Sequence, residues 1–161
     1  MSAQLLDAQL REAAMTDAAV REVLDSHLAG EFSALPDDVA SGIVELQSRA
    51  RLGAFATGRP GAVAWVIEEP GHPLAYALVD ETADALHLVD LVVRPAARRL
   101  GIATSLLDEF THRADAAGRP AALSVAPGSD AERLYRRHGF TNTGGDGMHL
   151  AMRRPAMRGT R

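Results

Sequence analysis

The 161-residue sequence predicts an α/β protein, a mixed sheet flanked by helices, and three successive stretches of different periodicity along the chain predict it. Up to about Leu52, apolar residues recur at three- and four-residue spacing. From Ala62 to Val79, two short β-type runs flank a turn. From Ala85 onward, strand and helix patterns alternate as β-α-β-α-β. The chain reads as one domain over residues 1–161: a helical N-terminal part (1–53), a sheet-bearing core (62–152) and a frayed tail (153–161). An apolar share of 47% is enough for a sizeable core.

Each element has its own signal. Leu5, Leu6 and Leu10, then Val20, Val23, Leu24 and Leu28, mark helix up to a stop at Gly30, so the chain is expected to open directly with helix. Pro36, Asp37 and Asp38 suit a helix N-terminus, and Val39, Ile43 and Leu46 carry its apolar stripe to Gly53. Ala62–Ile67 and Leu74–Val79 read as an antiparallel hairpin across the breaker-rich turn from Glu68 to Pro73. Ala85–Val93 (ALHLVDLVV) is the most strand-like segment and ends before Pro95. Leu100–Ala117 is helical, with Ile102, Leu106, Leu107 and Phe110 on one face and Gly118 as the stop. A strand (Ala121–Val125) and a short helix (Asp130–His138) closed by Gly139 follow. A Gly-rich turn (Thr143–Gly147) then leads to a final strand, Met148–Met152.

Composition removes whole classes of chemistry. There are 17 arginines, no lysine and no cysteine, so Schiff-base catalysis, a phosphate-loop lysine, a thiol nucleophile, disulfides and zinc–cysteine or iron–sulfur sites are excluded. Thirty alanines beside no lysine read as the drift of a GC-rich bacterial genome. The opening MSAQLLDAQLREAA carries acids and no unbroken apolar run, unlike a signal peptide or membrane anchor, and a cytoplasmic protein is expected. The net charge of -4 is polarised: residues 1–93 hold 5 arginines and 15 acids, residues 94–161 hold 12 arginines and 6 acids. Such a basic half favours a polyanionic ligand or is a set of solvated helix faces. A pI of about 5.8 and 4% aromatics fit nucleic acid poorly.

The chemistry concentrates at Val93-Arg94-Pro95-Ala96-Ala97-Arg98-Arg99-Leu100-Gly101-Ile102-Ala103, where a strand ends and a helix begins. A helix N-terminus leaves N–H groups unpaired and carries partial positive charge, and Gly101 and Ala103 remove side chains that would hold a phosphate away. Arg98 and Arg99 add charge at the rim. The same stretch is also compatible with a plain strand-to-helix loop with solvated arginines.

Arg98-x-x-Gly101-x-Ala103, preceded by Leu91-x-Val93-x-Pro95, resembles the acetyl-coenzyme A signature of the GCN5-related N-acetyltransferase (GNAT) superfamily. Ala131-x-x-Leu134-Tyr135-x-x-x-Gly139-Phe140 is similar to that family's second motif. Together they cover residues 85–142, and the hairpin extends the likeness to about residue 62. The resemblance implies a mostly antiparallel, splayed sheet and an acetyl-coenzyme A-dependent N-acetyltransferase that moves the acetyl group directly to a primary amine of a small molecule or peptide. It implies that the backbone of Leu91, Val92 and Val93 pairs with the pantetheine arm. The pyrophosphate would sit beside Arg98 on the amides of Arg99, Leu100, Gly101, Ile102, Ala103 and Thr104. Tyr135 then protonates, or hydrogen-bonds, the departing thiolate.

Direct transfer needs a neutral amine and hence a base. The resemblance points to His87, which by strict alternation shares a face with Val89, Leu91 and Val93 while Asp90 lies on the other. An ordinary half-buried strand histidine is the alternative, and Asp90, Glu68 and Glu69 stand in reserve. His27, His72, His112, His138 and His149 are scattered without metal-ligand spacing, so no metal is expected. Two departures from the family pattern stand out. Gly128 occupies a position where many members carry Asn, and the family's opening strand is missing, which would leave a sheet edge for a second copy of the chain to cover. The acceptor is expected near the hairpin and the N-terminal helices, whose acids suit a cationic amine. A non-catalytic acyl-coenzyme A-binding or regulatory module is the rival reading.

Overall fold

A computed structural model describes residues 9–158. Seven strands form one sheet: β1 (Leu10–Ala14), β2 (Val63–Glu69), β3 (His72–Glu81), β4 (Leu86–Val93), β5 (Ala121–Val125), β6 (Thr141–Gly145) and β7 (Leu150–Arg154). Their order is β1-β2-β3-β4-β5-β7-β6, and only the β4–β5 pair is parallel. Helices α1 (Ala18–Glu31) and α2 (Asp37–Gly58) pack on one face and α3 (Ile102–Ala116) and α4 (Asp130–Arg137) on the other. The mixed α/β fold with its mostly antiparallel sheet is as expected. Among the described residues no helix is long and apolar enough to cross a membrane.

Two cores follow from this layering. One joins Ile102, Leu106, Leu107 and Phe110 of α3 and Tyr135 of α4 to the sheet; the other joins Val20, Val23, Leu24 and Leu28 of α1 to Val66, Tyr76, Leu78 and Val92. The alternation of apolar and polar positions in the strands divides the sheet's side chains between the two.

The chain corrects the expected helical opening. Leu10–Ala14 is a strand that pairs antiparallel with β2, Leu10 opposite Ile67 and Ala14 opposite Val63. LREAA is a good local helix former, but β2 (VAWVI at its centre) offers an otherwise unpaired backbone edge, and long-range pairing prevails over propensity. Arg11 fixes the arrangement by bonding both Asp17 and Glu68. The opening strand is therefore present, and the argument for a second copy at that edge loses its premise. Leu5 and Leu6 lie outside the described residues.

The C-terminal end is corrected too. The expected Gly-rich turn is mostly strand β6, solvent-exposed throughout and held by backbone pairing and by the Thr141 and Thr143 hydroxyls donating to β7 carbonyls, so no apolar pattern betrays it. Gly145 is required there, because a Cβ would lie 2.2 Å from the His149 carbonyl oxygen. The last strand runs to Arg154, whose buried guanidinium bonds Asp115 on α3 at 2.7 and 3.0 Å, so Arg153 and Arg154 do not fray. α2 also continues past Gly53 to Gly58.

Candidate active site

β4 and β5 pair only over Leu86–Leu88 and Ala121–Leu123 and then separate. From Val89 to Val93, β4 has no strand partner on that side, and the sheet opens into a cleft between its central strands. β5 turns toward β7, which it pairs with through Val125.

A bulge stands at the mouth of this opening. Leu78 of β3 faces Asp90, but Val79 faces Leu88, so Val89 is an extra residue with no partner in that ladder. The bulge reverses side-chain parity. Leu86 and Leu88 before it, and Leu91 and Val93 after it, pack into the α3-side core, whereas Val89 and Val92 pack on the α1–α2 side. Strict alternation thus misplaces His87: it does not share a face with Leu91 and Val93. His87 and Asp90 both face α2, where Arg59 and Arg51 meet them.

Asp90 is buried and fully engaged. It accepts from the Tyr76 hydroxyl (2.7 Å), from Arg51 Nη2 (2.5 Å) and Nε (3.2 Å), and from the Leu91 amide (3.1 Å). Burial and the neighbouring carboxylate push the Tyr76 phenol far up. Sequence reasoning missed Arg51 and Tyr76. A tyrosine amid the apolar run of β3 was the available signal, because a buried phenol hydroxyl requires a partner. His87 contacts the Thr82 hydroxyl through Nε2 (3.2 Å) and Arg59 Nη2 through Nδ1 (3.5 Å). Thr82 donates to the Ala85 carbonyl, so it accepts from Nε2–H, and the Nδ1 lone pair faces the guanidinium. Burial, then the charge of Arg59, lowers the His87 pKa. The imidazole is therefore neutral at pH 7.

The loop after β4 forms a 3₁₀ turn (Pro95–Ala97), passes through left-handed Arg99 (φ 65°) and Gly101 (φ 76°), and enters α3 with no side-chain cap. Among the described residues, the backbone N–H groups of Arg99 to Thr104 have no acceptor, while Ser105 begins the helical ladder by donating to Gly101. A Cβ on Gly101 would meet nothing within 4 Å, so the space above these amides is open. Arg98 lies against His27 Nδ1 at 2.8 Å, and the Ile102 side chain is buried in the core, leaving only its amide to the loop.

Tyr135 is presented by α4, an eight-residue helix capped by Ser129, which accepts from the Glu132 amide. Gly128 donates its amide to Glu132, so the Gly at that position serves the cap. After left-handed Gly139, Phe140 folds back: its amide bonds the Tyr135 carbonyl and its ring meets the phenol edge-on at 6.0 Å. The Tyr135 ring is buried, and its hydroxyl bonds no described residue. Burial, then the charge of Asp90, pushes the phenol up to about 12. The structure thus brings Tyr135, Asp90 and the free stretch of β4 together, with the loop amides at its end. Glu68 lies apart, bound to Arg11. Among the described residues no group of three or more His, Cys, Asp or Glu side chains is arranged to hold a metal ion.

Residues 60–142 match the family model of the acetyltransferase (GNAT) domain. No curated protein matches the sequence. Among solved structures, the Thermoplasma acidophilum PaiA N-acetyltransferase in complex with coenzyme A is similar with a TM-score of 0.67 and 13% identity, over 91% of this chain and 98% of that one. PH1933 from Pyrococcus horikoshii is similar with a TM-score of 0.68 and 16% identity, over 91% and 98%. The Escherichia coli ribosomal-protein-S18-alanine N-acetyltransferase is similar with a TM-score of 0.61 and 18% identity, over 93% and 96%. At these identities the likeness is one of fold.

Proposed function

The chain belongs to the acetyltransferase (GNAT) domain family, whose model matches over half of it, and from that premise we propose that it is an acetyl-coenzyme A-dependent N-acetyltransferase acting on a primary amine. The observation that carries this reading is the opening of the sheet between β4 and β5, flanked by un-donating amides at one end and by a buried phenol beside it. Acetyl-coenzyme A supplies the acetyl thioester, which a neutral amine attacks with loss of the coenzyme A thiolate.

The chain's residues divide the work. The unpaired backbone of Leu91, Val92 and Val93 receives the pantetheine arm as an added strand would be received. The amides of Arg99, Leu100, Gly101, Ile102, Ala103 and Thr104 take the pyrophosphate, with Arg98 and Arg99 adding charge. Tyr135 donates its hydroxyl to the sulfur. With its pKa near 12 and a free thiol near about 8.5, complete transfer of the phenol proton would be uphill by roughly 5 kcal/mol, so Tyr135 acts as a hydrogen-bond donor that stays protonated. His87, neutral and on the α2 side, accepts the proton of the incoming ammonium at Nδ1, directly or through water, once Arg59 Nη2, 3.5 Å from that nitrogen, turns aside. Asp90 has four donors on its two oxygens and serves as a positioning residue that holds the bulge and Tyr76.

The test is Tyr135→Phe. Turnover should fall at least tenfold, while acetyl-coenzyme A still raises the melting temperature by mass action. Unchanged turnover would remove Tyr135 from the reaction. Absence of thermal stabilisation of the parent protein by millimolar acetyl-coenzyme A would overturn the whole reading, including the binding-module rival.

A further inference from the structure

A second cleft reaches the same point of the sheet from the α2 side. It has a volume of about 460 Å³, within the range that holds a small molecule. Its roof is the last turns of α2, where Ala54 and Gly58 are small, and its floor is the sheet where β4 and β5 begin to part, including Val89 and Ser124. Register fixes a row across that floor. His87 of β4 is opposite Ala122 of β5, and Ala122 is opposite Arg153 of β7. All three are on the α2 face, because their neighbours Leu86, Leu88, Leu123 and Met152 pack into the other core.

The charge of this cleft is one-sided. Arg59 and Arg153 line it and no carboxylate does. Arg59 is already committed, with Nη1 3.1 Å from Asp80 and Nη2 facing His87. Arg153 forms no ion pair with a described residue; the one hydrogen bond of its guanidinium there is a 3.4 Å contact to the Asp84 carbonyl. The acids of the N-terminal helices do not line it: Asp25, Asp37 and Glu45 line a separate cleft between α1 and α2 that no residue of the sheet enters, and of the acids nearer by Asp80 is paired with Arg59 while Asp84 turns its backbone carbonyl to Arg153. The expectation that an acidic surface selects a cationic amine therefore does not describe the cleft beside β4 and β5.

We propose that this cleft binds the acceptor and that the acceptor is a small primary amine bearing a carboxylate, which Arg153 pairs while the amine lies toward His87 and the mouth of the opening. The proposal rests on the transferase reading. One uncommitted guanidinium offers one unit of charge in a planar, two-pronged form, which matches a carboxylate. A phosphate would call for a second free cation or a cluster of amides, and the row supplies neither. His87 and Arg153 are two strand spacings apart, roughly 10 Å between Cα atoms, so amine and carboxylate separated by a few bonds fit between their side chains.

Matched acceptors test this: 4-aminobutanoate against 4-aminobutan-1-ol, and β-alanine against 3-aminopropan-1-ol, by acetyl-coenzyme A-dependent thiol release. The parent protein should favour the carboxylate member at least fivefold in kcat/KM. Arg153→Glu should cut that preference at least tenfold, mainly through KM, and Arg153→Gln should do so part-way; Arg153 is exposed, and unaltered melting temperatures verify folding. A smaller preference in the parent, a preference both variants retain, or stronger use of O-phosphoethanolamine than of every amino acid overturns the proposal. If no amine is acetylated although acetyl-coenzyme A stabilises the protein, the transferase reading fails, and calorimetry with coenzyme A-loaded protein decides this inference separately. Binding of 4-aminobutanoate that Arg153→Glu abolishes supports it, and no binding overturns it.

Discussion

Replacing Asp90 with Ala should destabilise the protein by about 2–4 kcal/mol. The Tyr76 hydroxyl, on a residue with 0% exposure, would lose its acceptor at 2.7 Å, and leaving such a buried donor unsatisfied costs about 1–3 kcal/mol. Arg51 would lose its partner as well, but its side chain is 36% exposed and can turn to water, so this ion pair adds only about 1 kcal/mol. For a chain of this length each kcal/mol moves Tm by about 2–4 °C, giving a loss of roughly 4–16 °C. Urea denaturation followed by the fluorescence of Trp65, the single tryptophan, measures it. The sharper assay is the cycle with Tyr76→Phe, which removes the donor that Asp90→Ala strands. The double variant should be about 1–2 kcal/mol more stable than the sum of the two losses predicts. Losses that add within about 0.5 kcal/mol, or a cost of Asp90→Ala below 1 kcal/mol, would refute the view that Asp90, Tyr76 and Arg51 form one buried unit under the bulge.

Gly101→Val should cost about 1–2 kcal/mol, because Gly101 sits at φ 76°, and should also abolish the thermal stabilisation by acetyl-coenzyme A by filling the open space above the loop amides; Tm with and without the ligand measures both. Stability should decline as pH falls from about 6.5. Burial lowers the pKa of both His27 and His87, so the unfolded chain takes up protons first and the folded state loses ground between the unfolded value and the depressed folded one, by no more than about 1.4 kcal/mol per pH unit for each histidine; His87→Gln should flatten part of the slope in denaturant titrations from pH 7 to 5. Arg154→Ala should destabilise by about 2–3 kcal/mol. Arg154 holds the Asp115 pKa below its usual value, a contribution present above pH 3.8 and lost as pH falls through the folded value, so the variant should show a weaker acid-limb loss in a denaturant titration carried below pH 3.8.

The core strands and all four described helices were legible because their apolar positions repeat at the period of the element they form, as in LHLVDLVV of β4 or Ile102, Leu106, Leu107 and Phe110 of α3. β1 was not, since its five residues favour a helix locally and become a strand only where β2 presents an edge 50 residues on. β6 was not, since TNTGG buries nothing and its pairing to β7 leaves no trace in side-chain pattern. The tail was misread for a related reason. Arg153 and Arg154 look like solvated charges until the fold sets Asp115 beside one of them.

The same limit governs the site, and one residue illustrates it. The loop before α3 could be located from the chain by its glycine at a strand-to-helix junction, and Tyr135 by the likeness of its stretch to the family's second motif, because each is a local run of sequence. The face of the sheet on which His87 stands could not, because it depends on Val89 having no partner in β3, and a bulge is a property of two strands together. That extra residue has a chemical consequence. It turns Leu91 and Val93 into the α3-side core while Asp90 stays with His87 facing α2, so the proposed thiolate donor and the proposed base come to opposite faces of one opening. Amine and coenzyme A would then approach the thioester from two sides without competing for space, and the basic cleft proposed for the acceptor stays separate from the loop amides proposed for the coenzyme A phosphates.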